Sequence, residues 1–515
     1  MSARLFGAGM GGLLLLALAA GPRPATAAEL YSGDGIELRW DNTLRYELAA
    51  RVSPRDPTIL ANPNSDDGDR DFAAGIVSHR IDLTSQLDLA RGDLGFHASA
   101  AAWYDHAYQG RTGNNSQATY NASQGSSTRF APAVRNLYGQ YAELSDAFLY
   151  DTISVGDIPL SIRAGRQTVT WGESLFFDPN SIASAQAPAD YTRLTTGQSS
   201  YANNIYLPVT QLFLAAQITP TLALTVYDQF EARSARETGD GAYLSYLDFI
   251  GPGAGKLFLS GGRYLSLNSE GSVSAAGQFG AALHVQVRDA DLAFYALKYN
   301  AKEPVLNVAF APSPQNPQAA GTYGLFYAKD ITLYGASASA ALDDGTVAGE
   351  ISLRQKAPLL VFGKNSGGDI VAQGYADGDL LHIQASTRQP LGRSALWEAA
   401  DLSAEIAADD VTGTETATPI DRFGLRTRLL FEPHYFQVLP NLDVTLPITL
   451  GYNLTGDGFS YYEQIEGTGD FQLGVSALYQ SAWKGSLTFT GFIGSPLRQP
   501  LADRDFLALT VERSF

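Results

Sequence analysis

The sequence predicts an all-β fold, a transmembrane antiparallel β-barrel of about 18 strands (about 16 is the nearest alternative) with short periplasmic turns and long extracellular loops. Three observations carry this. Short stretches that alternate apolar with polar side chains recur over nearly the whole chain; beyond its first residues no apolar run reaches the ~20 residues of a spanning helix; and the chain ends on one such alternating stretch. In that ending Leu507, Leu509, Val511 and Phe515 share one parity and Ala508, Thr510, Glu512 and Ser514 the other, as a strand between lipid and a wet lumen requires. Only a closed barrel lets strands satisfy every backbone polar group in lipid. A soluble β-sandwich also alternates, but a domain of ordinary size does not extend the pattern over a chain of 515 residues with no composition break.

The two ends agree on a compartment. A final Phe515 is the kind of mark that outer-membrane assembly machinery reads on its clients, with Arg513 standing where a second apolar or aromatic side chain is usual. At the other end Arg4 precedes an apolar stretch from Leu13 to Ala20, and Ala25-Thr26-Ala27 has the small-x-small form of a signal-peptidase site. Residues 1–27 therefore read as a cleaved export signal, too short in its apolar part for a membrane anchor, and residues 28–515 as a single barrel domain in the outer membrane of a Gram-negative bacterium. Gly7, Gly9 and Gly12 match the dinucleotide-binding spacing, but no strand precedes them and they lie inside the export signal.

Cleavage removes Arg4 and Arg23 and no acidic residue, taking the formal charge from -18 to -20. Such a chain lacks the basic footprint that nucleic-acid phosphates demand, so no nucleic-acid partner is expected. With no Cys there are no disulfides or thiolate metal sites. The expected partners are outer-membrane lipid and lipopolysaccharide around the wall, the barrel assembly machinery during biogenesis, and small-molecule solutes inside; no cofactor is implied.

The clearest hairpin runs from Gln211 to Glu231: Leu212, Leu214, Ala216 and Ile218 share a parity, Thr219-Pro220-Thr221 turns the chain, and Leu222, Leu224 and Val226 resume the apolar face. A second sets Phe423, Leu425, Leu429 and Phe431 against Arg426, Arg428 and Glu432, then passes Pro440-Asn441 into Leu442, Val444, Leu446, Ile448 and Leu450. Strands follow around Phe471 to Tyr479, Leu487 to Ile493 and the terminal segment. Similar alternation marks 36–52, 76–90, 94–105, 138–150, 157–170, 276–299, 322–355, 380–388 and 397–408. The sum is roughly nineteen segments, and because single-chain bacterial barrels have an even number, about 18 is the expectation. Long polar segments at 53–75, 106–137, 171–209, 233–275 and 300–321 read as the extracellular loops.

Ile162-Arg163-Ala164-Gly165-Arg166-Gln167 followed by Trp171-Gly172-Glu173-Ser174 resembles a large family of proteobacterial outer-membrane proteins, domain of unknown function thirteen-zero-two. Weaker matches are Asp34-Gly35-Ile36, Asp66-Asp67-Gly68-Asp69, Ala102-Trp103-Tyr104-Asp105, Leu207-Pro208-Val209, Tyr246 to Gly251, and Gly349-Glu350-Ile351-Ser352, which span most of the mature chain. The resemblance implies a porin-like barrel, discussed beside machinery for hydrophobic or lipid-like compounds, and no established catalytic activity.

The candidate pore-lining or constriction residues are Arg163, Arg166, Trp171, Glu173, Asp178, Asp190, Glu350, Arg354, Arg426 and Arg428. Arg163 points inward by parity, and a bulge at Gly165 would turn Arg166 inward as well. An inward arginine needs a carboxylate or water, and Glu173, Asp178 and Asp190 are the nearest acids. The expectation is that 171–209 folds into the pore, with Glu173 or Asp178 facing lumen arginines; a cap outside the barrel is the competing reading. Glu350 with Arg354, and Arg426 with Arg428, share inward parities, as an arginine ladder facing carboxylates or as ion pairs bracing the wall.

Other features read as structural. Tyr452, Phe459, Tyr461 and Tyr462 read as interface girdle residues. Asp66 to Asp71 offers hard oxygen ligands for calcium but lacks the closing glutamate of an EF-hand, so a solvated loop is expected. Gly251 to Lys256 has the wrong glycine spacing for a phosphate loop, with Leu257 in place of Ser or Thr. The six histidines, His79, His97, His106, His284, His382 and His434, show no zinc-ligand spacing, and there is no Gly-x-Ser-x-Gly elbow. A catalytic pair of His106 with Asp105 is the one arrangement for which enzymology needs weighing. The sequence favours a passive channel over a hydrolase or an adhesive scaffold.

Overall fold

Inside the wall every second residue must meet water or a packed polar interior, and outside every second residue must meet lipid, so the period of two becomes a cylinder. The computed structural model describes residues 28–195, 205–312, 314–364, 370–414, 421–457 and 465–515. The expected export signal, 1–27, lies outside the described residues, as do Phe459, Tyr461 and Tyr462.

In chain order, β1 (Ala28–Gly33) and β2 (Ile36–Arg51) form a hairpin, followed by β3 (Gly75–Arg91), β4 (Leu94–Asp105), β5 (Gln140–Val155), β6 (Ile158–Gln167), β7 (Val209–Thr219) and β8 (Leu222–Gln229). Two short strands, β9 (Lys256–Phe258) and β10 (Tyr264–Ser269), precede β11 (Gln278–Val287) and β12 (Ala290–Tyr299). Two more, β13 (Val305–Phe310) and β14 (Ala319–Phe326), precede β15 (Ile331–Leu342) and β16 (Gly345–Lys364). The chain continues through β17 (Ile370–Leu391), β18 (Ala399–Thr414), β19 (Phe423–Leu439), β20 (Leu442–Thr445), β21 (Ile448–Thr455), β22 (Gly469–Tyr479), β23 (Trp483–Ile493) and β24 (Phe506–Ser514).

Antiparallel pairing of β24 with β2 and of β8 with β11 closes a ring of 18 staves. β20 and β21 are one stave interrupted at Leu446-Pro447, since Pro447 has no N–H for the ladder. β1 pairs with the part of β2 that β24 leaves free and adds no stave. The odd segment among the alternating stretches is the one around 322–326. It is β14, which pairs parallel with β10 and antiparallel with β13 in a separate four-stranded sheet whose other three strands lie in what read as loops. Alternation reports a two-sided strand but not which sheet owns it.

The apolar parity faces outward: Leu224, Leu283, Phe294, Ile351, Ile406, Leu450 and Leu509 are all exposed large hydrophobics on the wall. Arg513, on the same parity, lies over the Trp483 ring at 4.9 Å, which gives that charge an aromatic face. The long segments at one end are not loose. Phe72, Tyr108, Phe130, Val134, Tyr138 and Tyr243, from three different segments, form one buried cluster. Arg51, wholly buried, joins Asp69 at 2.6 Å and Asp503 at 3.1 Å beneath it. The expectation of a solvated loop at Asp66 to Asp71 is therefore overturned: Asp66, Asp67 and Asp69 have no exposed surface, because a helix, Asp67–Asp71, packs into this cap.

Candidate functional site

The 18-stave ring fixes which walls can meet. Counting from β6 in either direction, β19 is the ninth stave of 18, so the two stand on opposite sides of the barrel. The segment between β6 and β7 leaves one wall, and its backbone is held by inward-facing side chains of β16, β18 and β19.

Glu350 on β16 accepts from the backbone N–H of Glu173 at 2.7 Å through one oxygen and from Ile182 N at 2.8 Å through the other. Glu405 on β18 accepts from three consecutive N–H groups, Leu175 at 3.0 Å, Phe176 at 2.6 Å and Phe177 at 3.0 Å. Arg354 donates to the carbonyls of Asn180 and Ser181 and to Tyr299 Oη at 3.1 Å. Arg426 donates to Pro179 O at 2.7 Å, pairs with Asp409 at 3.3 Å and covers the Phe177 ring at 4.8 Å. All four wall residues are at most 4 % exposed. Charges buried this deeply persist only where hydrogen bonds replace their hydration. Here the replacement is the backbone of a segment with no regular ladder of its own.

The local sequence explains the fit. Trp171 packs against Tyr227 at 5.0 Å and Tyr295 at 5.9 Å, and its N–H donates to Gln186 Oε1 at 2.5 Å. Gly172 then turns at φ +92°, and a Cβ there would collide with Glu350 Oε2. Only glycine allows both the turn and the approach of the carboxylate. The Ser174 hydroxyl closes the turn on Phe177 O at 2.5 Å.

The structure brings some sequence candidates together and separates others. Trp171, Glu173, Asp178, Glu350, Arg354 and Arg426 belong to this one arrangement. Glu173 contributes its N–H rather than a carboxylate to an arginine: its side chain neighbours Ser339 and Glu350, and burial and then Glu350 raise its pKa. Asp178, buried, accepts from Tyr191 Oη at 3.1 Å, and burial likewise raises it. Glu303, which also accepts from Tyr191 Oη at 3.3 Å, is pushed up to about 7 by burial and then by Asp178. Beside it a cavity of about 40 Å³, lined by Asn180, Ser184, Tyr299, Glu303, Arg354 and Pro358, has room for one or two waters.

Asp190 stands apart and pairs with Arg236 at 2.6 Å, which also binds Glu143 at 2.6 Å. Arg163 meets none of the three loop acids. It faces inward over the Phe213 ring at 4.4 Å. Arg166 is corrected more sharply: the ladder runs in register through Gly165 on both sides, the irregularity lies in β5 opposite Ala98 and Ala100, and Arg166 keeps the outward parity. It pairs there with Glu231 at 3.4 Å and donates to Leu144 O at 3.2 Å. Arg354 gives its donors to loop carbonyls and Tyr299, whereas Arg426 both braces the wall through Asp409 on the neighbouring strand and donates to the loop carbonyl of Pro179. Arg428 does brace the wall, bidentate to Asp470 at 2.9 Å for both bonds.

Sequence reasoning missed Glu405, Asp409, His382, Tyr299 and Glu303. Parity was the available signal for Glu405 and Asp409, which alternate with the exposed Ile406. His382, with no exposed surface, sits between Asp409 Oδ1 at 2.7 Å and Gln384 Oε1 at 3.0 Å. The considered pair of His106 with Asp105 is not formed: the Asp105 oxygens accept from His79 N, Ala107 N and the Ser78 hydroxyl at 2.9–3.1 Å. Lys256, the last residue of the glycine-rich stretch, donates to Tyr120 O at 3.2 Å.

Comparison with solved structures returns barrels that cover nearly the whole chain at low identity. OccAB1 of Acinetobacter baumannii covers 96% of this chain and 99% of its own, at 10% identity and a TM-score of 0.45. OccK8 (OprE) of Pseudomonas aeruginosa covers 93% and 98%, at 9% identity and a TM-score of 0.41. The outer membrane channel DcaP of Acinetobacter baumannii covers 95% and 100%, at 11% identity and a TM-score of 0.36. No curated protein matches this chain. A family model described as a protein of unknown function, DUF1302, matches residues 8–515, and the chain belongs to that family.

Proposed function

We propose that the protein is an outer-membrane channel in which the described residues 171–195 of the segment 171–209 narrow the lumen, and in which solutes are selected by size and charge at that waist rather than transformed. The observation that carries this reading is the anchoring of one inter-strand segment across the lumen, by Glu405 and Arg426 on the far wall and by Glu350 and Arg354 on β16 between. A segment that merely capped the barrel would gain nothing from burying four charges on the inner wall. The exposed apolar belt supports an outer-membrane location, against lipid and lipopolysaccharide. Trp171, Glu173 and Asp178 belong to the waist, and Arg163 and the Arg428–Asp470 pair line the wall beside it. The family resemblance adds hydrophobic or lipid-like compounds as a solute class.

The test is single-channel conductance of the refolded protein in planar bilayers, with liposome uptake of neutral and apolar solutes of graded size. The expected result is a small, steady conductance that rises when Glu405→Ala frees the segment. A scaffold that presents loops to partners would give none in either form, and an unchanged conductance in the variant would remove the waist.

A further inference from the structure

The cap holds a second cluster of acids whose environment is the opposite of the waist. One carboxylate oxygen each from Asp67, Asp240 and Asp248 lies within 4.8 Å of the others, and all three residues are at most 3 % exposed. Asp67 comes from the segment between β2 and β3, and Asp240 and Asp248 from that between β8 and β9. Asp67 accepts from Asn114 Nδ2 and Asn121 N, both at 2.8 Å, and Asp248 Oδ2 accepts from Asp67 N at 2.9 Å. Neither oxygen of Asp240 has a donor aimed at it, and the polar group beside it is the Asp67 carboxyl. Asp248 Oδ1, Asp71 Oδ1 and Asn121 Oδ1 are likewise buried without partners.

No arginine or lysine among the described residues pairs with Asp67, Asp71, Asp240 or Asp248. The guanidinium of Arg504, which lies close by and favours the Asp248 charge through space, gives both terminal nitrogens to the carbonyls of Tyr243, Ser245 and Ser65. Arg51 takes Asp69 and Asp503, and Arg70 takes Asp66. Of the run Asp66 to Asp71, then, only Asp67 and Asp71 are left toward the cluster. An acid with both oxygens buried, unpartnered and facing other acids is far too costly to stand as it is. Either a proton shared with Asp67 or a cation relieves it, and for a cation a donor set made only of oxygen selects a hard one. Oxygens ~2.4 Å from one calcium ion lie at most ~4.8 Å apart, which the cluster satisfies, whereas magnesium demands a tighter octahedral shell.

We infer that Asp67, Asp240 and Asp248 form a calcium site that ties the segments after β2 and β8 into one cap, with Asp71 and the Asn121 side-chain oxygen available to complete the shell. Asn114 and Asn121 orient Asp67 and bring the segment between β4 and β5 into the same assembly. The site does not depend on the channel reading and its failure would leave that reading intact.

The experiment uses the purified full barrel in detergent, free of lipopolysaccharide and stripped with EGTA, titrated with calcium chloride by calorimetry. Limited proteolysis and urea unfolding are followed with and without the ion. The expected result is saturable one-site binding that protects the cap from protease, at least tenfold weaker in Asp240→Asn and in Asp248→Asn, with magnesium much weaker than calcium. Heat-modifiable gel migration establishes that each variant folds, and the second variant serves if the first does not. Absence of calcium binding in the wild type overturns the proposal, as does equal affinity in both folded variants. An Asp240→Asn protein more stable than a wild type indifferent to calcium also overturns it, because the acids would then share a proton.

Discussion

The waist and the cap solve the burial of acids in opposite ways. On the inner wall, Glu405 has three backbone N–H groups aimed at it and Glu350 has two. In the cap, Asp240 has none, and its neighbours are other acids. The first arrangement is complete within the polypeptide and positions a segment with no external help. The second is complete only when something positive joins it. Charge count therefore says little about a buried acid until the donors around it are named.

The comparison can be broken at its strongest point first. Removing the Glu405 carboxylate leaves three buried N–H groups without acceptors, a loss of about 3–5 kcal/mol. Glu405→Ala is expected to release residues 171–182 to protease and raise conductance severalfold, and an unaltered digestion pattern would show that the anchor is redundant. Proton linkage sharpens the picture next. Burial pushes Glu303 up to about 7 from the ordinary glutamate value of 4.5, so the folded state holds this proton more tightly than the unfolded chain does. Its contribution is undiminished below ~4.5, falls as pH rises toward ~7 and is flat above, an effect of at most about 3 kcal/mol. The difference in urea midpoint between wild type and Glu303→Gln should change across that window, and a constant difference would place the carboxyl in water.

Gly172→Ala probes the same anchor from the other side. Its φ of +92° and the approach of Glu350 predict a cost of about 1–3 kcal/mol with the barrel wall still formed, read as faster proteolysis of the segment at normal heat-modifiable migration. The smallest effect belongs to the partly exposed pair of Arg428 with Asp470. Arg428→Gln should change stability by no more than about 1 kcal/mol while shifting the reversal potential toward cations. A shift as large in Arg426→Gln would mean that its guanidinium faces the solute path rather than Pro179 O.

Much of the wall was legible because lipid enforces its pattern locally. Leu507, Leu509 and Val511 face outward as their parity demands, and the hairpin at Thr219-Pro220-Thr221 closes as read, with Thr219 paired to Leu222. Parity also put Glu350, Arg354 and Arg426 inside. It could not say what they would hold, since their partners lie some 170 to 250 residues away on a segment with no periodicity. The same gap misled the reading of Asp66 to Asp71: a polar run looks solvated unless the aromatic residues that cover it, Phe72, Tyr108 and Tyr243 among them, are known to converge. Arg166 failed for a different reason, because an outward arginine was taken to need a bulge when Glu231 was within reach.

The seam where the cylinder meets itself has a consequence for traffic. β2 is paired along one edge by β1 over Ile36–Trp40 and by β24 over Thr43–Arg51, with Phe515 and Asn42 exchanging both backbone hydrogen bonds at 2.9 Å. Arg51 then rivets the top of that edge to Asp503. The wall thus offers no sideways opening into the bilayer at that seam.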